Sequence, residues 1–318
     1  WDAEEQGLIG STEWAEQYSK ELAGAVTYIN MDAAASGPKF AASAVPSLKQ
    51  FVRDVTKSVA SPAGGTVYGA WGRAKEKEAA EKTSPDIGGG ERPPVAESAD
   101  LPVGDLGSGS DYTAFLQHLG VPSTDVSSSG PYGVYHSVFD NFAWFSKFGD
   151  PGFRYLQQMA RIYGLQLLRM SEADALPYNY EDYGKEVTTY LQKAHQKSAR
   201  VLGKNAPDFS PAVKAARRLT VAGAKISKAQ RQTDAKDLLR LNRILREAER
   251  AFLLPNGLPN RPWFRHAIFA PGEYTGYAAV VLPGVNEALD AADAERTRTQ
   301  LAALVEAINR AAAVLESY

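Results

Sequence analysis

AVTYINMD, residues 25–32, is the stretch of sequence that decides the fold. Its first six residues are mostly apolar and rich in β-branched and aromatic side chains, which predicts a buried strand of a parallel sheet. Asp32 stands just beyond the C-terminal end of this strand. Because open α/β sheets place their chemistry at that end, Asp32 is a candidate functional residue.

Helices are predicted on both sides of this strand. Upstream, Ser11 is a suitable N-cap for a helix that carries Trp14, Tyr18 and Leu22 on one face, and residues 1–11 read as the end of an earlier strand running into a loop. Downstream, a second helical face carries Leu48, Phe51, Val52, Val55 and Val59. This order of helix, strand and helix predicts an α/β fold with a doubly wound sheet.

The composition changes after residue 60 and again after residue 150. Residues 61–106 are rich in Gly, Pro and charge, which favours a long surface loop, and residues 111–119 return to helical spacing. Later helices are predicted over residues 153–170, 183–202, 211–225, 233–253 and 294–318. We therefore predict two domains: residues 1–172, which hold the sheet, and residues 173–318, an all-α helical bundle.

The composition also excludes several classes of function. With 35 Lys and Arg against 37 Asp and Glu, the formal charge is -2, so no basic field favours a nucleic-acid partner. No apolar run approaches the roughly 20 residues that span a bilayer, so we expect no membrane segment in this chain. The chain has no cysteine and four histidines, so a metal site must use His and carboxylate ligands.

Three short segments carry acids or histidine where a sheet presents side chains: Glu4 with Glu5, Asp32, and Tyr135 with His136. One of two adjacent carboxylates can bind a metal while the other reaches a bound water, an arrangement that suits hydrolysis. The ordinary interpretations are solvated surface acids, a turn residue after a strand and a histidine packed in the core.

A further histidine is a candidate for substrate binding. His266 lies in a loop that leads into a short apolar run. Its side chain either faces a cleft or has a structural role, and the structural role is the more common one for a histidine beside apolar residues.

Together these segments resemble successive blocks of one protein family. The blocks are WDAEEQGLIGSTEWAE, YINMD, GSGSDYTAFLQHLGVP, YHSVFDN and RHAIFAPGEYTGYAAVVLPGVNEAL, and their order and spacing are similar to those of the glutamate carboxypeptidase II and transferrin receptor family of co-catalytic zinc peptidases. The resemblance runs from Trp1 to Leu289 and includes the final helix. It implies a zinc-peptidase-like sheet, a helical dimerisation domain, a twofold homodimer and an extracytoplasmic location.

The resemblance also implies roles for single residues. Glu4 matches the general base, and Tyr135 matches the phenol that stabilises the tetrahedral intermediate. Glu5 and His136 match ligands of one zinc ion, and Asp32 matches a ligand of the other. The other matches are a structural calcium site and the substrate cleft: Glu13 and Glu16 for calcium, and Ser108, Gly109, Ser110 and Tyr277 for substrate.

Several positions depart from the family pattern. The family has a bridging Asp and a further His ahead of the WDAEE block, so we expect that an upstream portion is missing and that this chain alone has little activity. Gly276 stands where glutamate-specific members have Lys, Ser110 replaces an amide side chain, and residues 123–130 lack the family's Arg. A strong preference for acidic C-terminal residues is therefore not expected.

We predict a zinc-dependent exopeptidase of the carboxypeptidase or dipeptidase type, which hydrolyses peptides with a metal-activated water and without strict glutamate specificity. Two alternatives are a transferrin-receptor-like binding or scaffold protein that has lost its metals, and a dimerisation fragment without activity. Retention of Glu4, Glu5, Asp32 and His136 favours the enzyme over the receptor-like protein.

Overall fold

The computed structural model describes residues 1–34, 37–82, 100–232, 234–274 and 276–318. Its helices and strands are, in chain order, α1 (Ile9–Gln17), β1 (Tyr28–Asn30), β2 (Lys39–Ala44), α2 (Pro46–Lys57), α3 (Val67–Lys82), β3 (Ser123–Ser129), α4 (Phe142–Trp144), α5 (Arg154–Ser171), α6 (Tyr180–Leu202), α7 (Ser210–Gln232), α8 (Leu238–Arg250), β4 (Phe269–Gly272), β5 (Gly276–Val281), α9 (Pro283–Asp290) and α10 (Ala294–Glu316). The chain is therefore a mixed α/β region followed by a mainly helical one.

The first region contains a mixed sheet. Its described strands lie in the order β1-β3-β2, with β3 parallel to β1 and antiparallel to β2. The strand predicted from residues 25–30 is confirmed over Tyr28–Asn30. The α/β class is confirmed, and β1 pairs parallel to β3 as predicted, whereas the doubly wound arrangement of the sheet stays a prediction. The segment 123–130, which lacks the family's Arg, is mostly β3.

Two predictions at the start of the chain were wrong. Residues 1–8 form turns rather than the end of a strand. Ser11 lies inside α1, whose N-cap is Leu8, and the Ser11 hydroxyl donates to the Leu8 carbonyl at 3.1 Å. A serine that bonds back to the preceding turn satisfies its hydroxyl without capping the helix.

The predicted loop over residues 61–106 contains the helix α3. Its Ala, Glu and Lys residues are strong helix formers, and Trp71 anchors it by packing edge-on against Phe40 at a centroid distance of 5.2 Å. Residues 83–99 of that loop lie outside the described residues. The helical prediction for residues 111–119 is confirmed over residues 112–118, mostly as the π-helix Ala114–His118.

The later helices are confirmed, and α6 and α7 pack closely. A Cβ added at Gly223 on α7 would lie 2.3 Å from the backbone nitrogen of Glu181 on α6. The antiparallel hairpin of β4 and β5 and the helix α9 interrupt the helical region and were not predicted. Among the residues that the structure describes, none of the helices combines the length and the hydropathy that a bilayer span requires.

One hydrophobic core crosses the predicted domain boundary. It joins Val52 on α2 to Tyr180 on α6, both buried. The backbone N–H of Asn179 donates to the Ser47 carbonyl at 2.9 Å, and the Tyr178 hydroxyl donates to the Val26 carbonyl. The two regions are therefore packed as one body, and the boundary after residue 172 stays a prediction.

Candidate active site

A cavity of about 1060 Å³ lies at the C-terminal end of β1. Its wall includes Glu4, Glu5, Asp32, Tyr135 and His136. These residues are up to 132 positions apart in the sequence, from Glu4 to His136. The fold therefore brings the predicted base, the predicted phenol and the predicted zinc ligands to one place.

Glu4 and Glu5 are held by a compact turn ahead of α1. The Leu8 N–H donates to the Glu4 carbonyl at 2.8 Å, and the Gly10 N–H donates to the Asp2 carbonyl at 2.9 Å. A Cβ at Gly10 would lie only 2.4 Å from that carbonyl, so this position needs glycine. The turn brings both carboxylates to the cavity. In an extended chain, adjacent side chains would point to opposite faces.

His136 and Glu5 form a pair at the cavity wall. The Nε2 atom of His136 lies 2.8 Å from Oε1 of Glu5, and both side chains are more than half exposed. His136 has a left-handed backbone with φ 57°, and the Tyr135 ring stacks on its imidazole at a centroid distance of 3.8 Å. A left-handed non-glycine residue is strained, and such residues cluster at functional sites.

Negative charges accumulate around Glu4. Partial burial, followed by the nearby charges of Asp32, Glu5 and Asp111, raises the pKa of the Glu4 carboxyl. A carboxylate with a raised pKa holds a proton more firmly, which suits a general base that must accept one from water.

The donor atoms at the cavity fit zinc, but they form no closed shell. Glu5 and His136 present an oxygen and a nitrogen 2.8 Å apart, and the Asp32 carboxylate lies on the same wall, which are donor types that zinc accepts. Within the described ranges, no group of three or more His, Asp or Glu side chains lies close enough to hold a metal. The two-zinc prediction is therefore compatible with the chemistry of these ligands and stays a prediction.

Glu13 and Glu16 lie on α1 and line the same cavity. The Oε1 atom of Glu16 accepts a hydrogen bond from Nε1 of Trp263 at 2.6 Å. The calcium role of these acids stays a prediction, and the structure adds an aromatic partner for one of them.

The cleft residues of the GSGS turn divide into two groups. Ser108 and Gly109 line the cavity, and Gly109 adopts a left-handed φ of 95° that favours glycine. Ser110 points inward instead. It is buried, and its hydroxyl accepts a hydrogen bond from Nδ2 of Asn30 at 2.9 Å.

His266 lies in the core and does not line the cavity, so the structural alternative describes its position. Its side chain is fully buried, with Nε2 3.1 Å from Oε1 of the buried Glu249. Its Nδ1 accepts from the backbone N–H groups of Ile268 and Phe269, both at 3.2 Å. The imidazole thus fixes the chain that enters β4. The side chain of Tyr277 lies outside the described residues.

Sequence reasoning missed several wall residues. Trp263 and Phe264 reach the cavity from the helical region, and Phe145 and Asp140 reach it from the segment after His136. The sequence signals were the aromatic pair beside His266 and the YHSVFDN block, but neither shows which side chains face the cavity.

Comparison with known proteins supports the same family. Residues 1–81 match the model of peptidase family M28, and residues 193–316 match the transferrin receptor-like dimerisation domain. A probable glutamate carboxypeptidase LAMP1 from Arabidopsis thaliana is 37% identical over 94% of this chain and 40% of its own length. A probable glutamate carboxypeptidase from Arthroderma benhamiae is 36% identical over 100% of this chain and 42% of its own length.

A third relative is named an aminopeptidase rather than a carboxypeptidase. The aminopeptidase NAALADL1 from Rattus norvegicus is 32% identical over 99% of this chain and 43% of its own length. The chain thus spans about two fifths of the length of these curated relatives. The two family models match successive parts of the chain, and the relatives match nearly all of it. The chain belongs to the glutamate carboxypeptidase and transferrin receptor family.

Proposed function

We propose that this chain carries part of the site of a zinc-dependent exopeptidase. The observation that supports this most directly is the meeting of Glu4, Glu5, Asp32, Tyr135 and His136 at one cavity. The family models and the relatives' names support peptide hydrolysis as the reaction.

In the proposed mechanism, Glu5 and His136 would hold one zinc ion and Asp32 would contribute to a second. When bound there, zinc would activate a water molecule and polarise the scissile carbonyl. Glu4 takes the proton of the attacking water and passes it to the leaving amine. The Tyr135 hydroxyl donates a hydrogen bond to the oxygen on which negative charge develops.

Strict glutamate specificity is not part of the proposal. No Lys or Arg is found among the described residues that line the cavity. Gly276 stands at the family's Lys position and has a left-handed φ of 64°, a conformation that disfavours any side chain there. We also propose a homodimer through the helical region, calcium at Glu13 and Glu16, and an extracytoplasmic location, the last from the family alone.

Zinc content and dipeptide cleavage test this function. Three ligands for two ions bind metal less firmly than a complete set, so the assay uses excess zinc and we expect slow turnover. Glu5→Ala should lower the zinc content, and Glu4→Gln should abolish cleavage while leaving zinc bound. Glu21→Gln, an exposed acid outside the cavity, is the matched control.

The absence of a three-residue metal cluster in the described part of the chain favours one alternative, a non-catalytic binding protein of the same family. The same experiment separates the two. Cleavage that persists in Glu4→Gln refutes the mechanism, and a chain that takes up no zinc even when zinc is in excess supports the non-catalytic alternative. Light scattering tests the dimer, which a monomer at micromolar concentration would contradict.

A further inference from the structure

The helical region contributes an aromatic wall to the cavity, formed by Trp263 and Phe264. The Trp263 ring stacks on His118 with centroids 4.7 Å apart and planes at 15°. Its Nε1 donates to Oε1 of Glu16 at 2.6 Å, and Nδ1 of His118 donates to the Trp263 carbonyl at 2.8 Å. Contacts from α1 and from the turn at Ala114–His118 thus fix the indole ring before any ligand arrives.

Phe264 is fixed from the other side. Its carbonyl accepts from the Leu258 N–H at 2.8 Å, and the Arg261 guanidinium lies 5.3 Å from its ring centroid. That guanidinium is already engaged, because it donates to Glu287 and to the Pro271 carbonyl. Arg261 does not line the cavity, so this nearby cation is not available to a ligand there.

The charged side chains of the cavity also bear on which ligand it can bind. The charged side chains that line it in the described part of the chain are carboxylates such as Glu13 and Asp140, without Lys or Arg. No Lys or Arg of the described wall would pair with an acidic side chain of a ligand. An aromatic or large aliphatic side chain would instead gain contact area with a rigid indole ring.

We propose that this cavity takes peptides with an aromatic or large aliphatic side chain, and that Trp263 is the residue that determines this specificity. The inference rests on the proposed peptidase function for the presence of a peptide in the cavity. It goes beyond that function because it names the side-chain class and the residue that selects it.

Blocked amino acids test the side-chain preference without any catalysis. N-acetyl-phenylalaninamide and N-acetyl-glutamate amide differ only in the side chain, because neither has a charged terminus. Titration calorimetry on the whole chain should show the phenylalanine probe binding about tenfold tighter, as expected for one well-packed aromatic contact. Equal binding, tighter binding of the glutamate probe, or binding of neither probe overturns the proposal.

Variants assign the preference to Trp263. Trp263→Ala should bring the ratio of the two dissociation constants close to one, and Tyr318→Ala, an aromatic side chain outside the cavity, should leave it unchanged. An unchanged ratio in Trp263→Ala overturns the assignment. If that variant does not fold, Trp263→Phe replaces it, because this change keeps an aromatic ring at the position. The phenylalanine probe should change the tryptophan fluorescence of the parent chain. An equal fluorescence change in Trp263→Phe refutes contact between the probe and Trp263.

The two proposals fail in different ways. Dipeptide cleavage that is insensitive to Glu4→Gln refutes the proposed function and leaves the probe preference intact. Loss of the probe preference with Glu4-dependent cleavage refutes only the role of Trp263.

Discussion

Lys49 on α2 is the centre of a charged cluster that joins the two regions of the chain. Its Nζ lies 2.8 Å from Oδ1 of Asp105 and also bonds to Oε1 of Glu186 on α6. The Tyr190 hydroxyl lies 2.6 Å from each of the same two oxygens. Burial and the charges of Glu186 and Asp105 raise the pKa of Tyr190, so the hydroxyl stays protonated. Lys49→Met removes the single ammonium group from this cluster and keeps most of the apolar stem.

The cost of this change follows from the exposure of the partners. Removing one partner of a fully buried ion pair costs about 3–5 kcal/mol, and an exposed pair contributes about 0–1 kcal/mol. Lys49 is only 9% exposed, whereas Asp105 and Glu186 keep 29% and 26% of their side-chain surface in water. Water can partly rehydrate the two carboxylates, so we expect a loss of about 2 kcal/mol of unfolding free energy. For a chain of this size that lowers the melting midpoint by about 3 °C.

Urea unfolding at pH 7, followed by circular dichroism, measures this loss. Lys185→Met is the matched control, because Lys185 also contacts two carboxylates, Glu181 at 2.8 Å and Asp182 at 3.0 Å, but is 56% exposed. The control should lose less than about 0.5 kcal/mol. Equal losses in the two variants would show that burial does not set the strength of the Lys49 cluster and would refute the reasoning.

Two further predictions concern pH and backbone packing. Burial raises the pKa of Tyr28 to about 12 and that of Tyr180 well above 10, so the stability that comes from their neutral forms is complete below pH 10 and is lost as the pH rises beyond it. Absorbance at 295 nm should therefore show that some tyrosine side chains ionise only when the chain unfolds. Complete tyrosine ionisation near pH 10 in the folded chain would contradict this prediction. Gly223→Ala places a Cβ 2.3 Å from the Glu181 backbone and should cost at least about 3 kcal/mol, whereas Gly164→Ala, with nothing within 4 Å, should stabilise α5 by about 0.5–1 kcal/mol in the same urea assay.

Local sequence patterns predicted the elements that decide the fold. The strand before Asp32 and the long helices such as α6 were predictable, because periodic apolar side chains report directly on a buried face. The helix α3 was not, because its charged sequence has no apolar stripe and its anchor, Trp71, packs on the distant Phe40. A pattern within one segment carries no information about such a partner.

The residues of the candidate site were also predictable only in part. The family blocks predicted Glu4, Glu5, Asp32 and His136, and the structure brings all four to one cavity. Trp263 was missed because its partner Glu16 is 247 residues away. His266 was open between two interpretations, because its burial depends on Glu249, a carboxylate on another helix.

The helical region is therefore part of the candidate site and does more than supply a surface for dimerisation. Arg250 on α8 donates to the carbonyls of Leu22 and Ala25 at 3.0 and 2.9 Å, and this segment leads directly into β1 and Asp32. Trp263 lines the cavity from the same region, and the Tyr190 hydroxyl on α6 bonds to Asp105, where the loop that reaches Ser108 begins. Because the cavity needs all of these contacts, a cut at residue 172 should destroy it even if both pieces fold. We accordingly expect that residues 1–172 alone lose probe binding and that the intact chain keeps it.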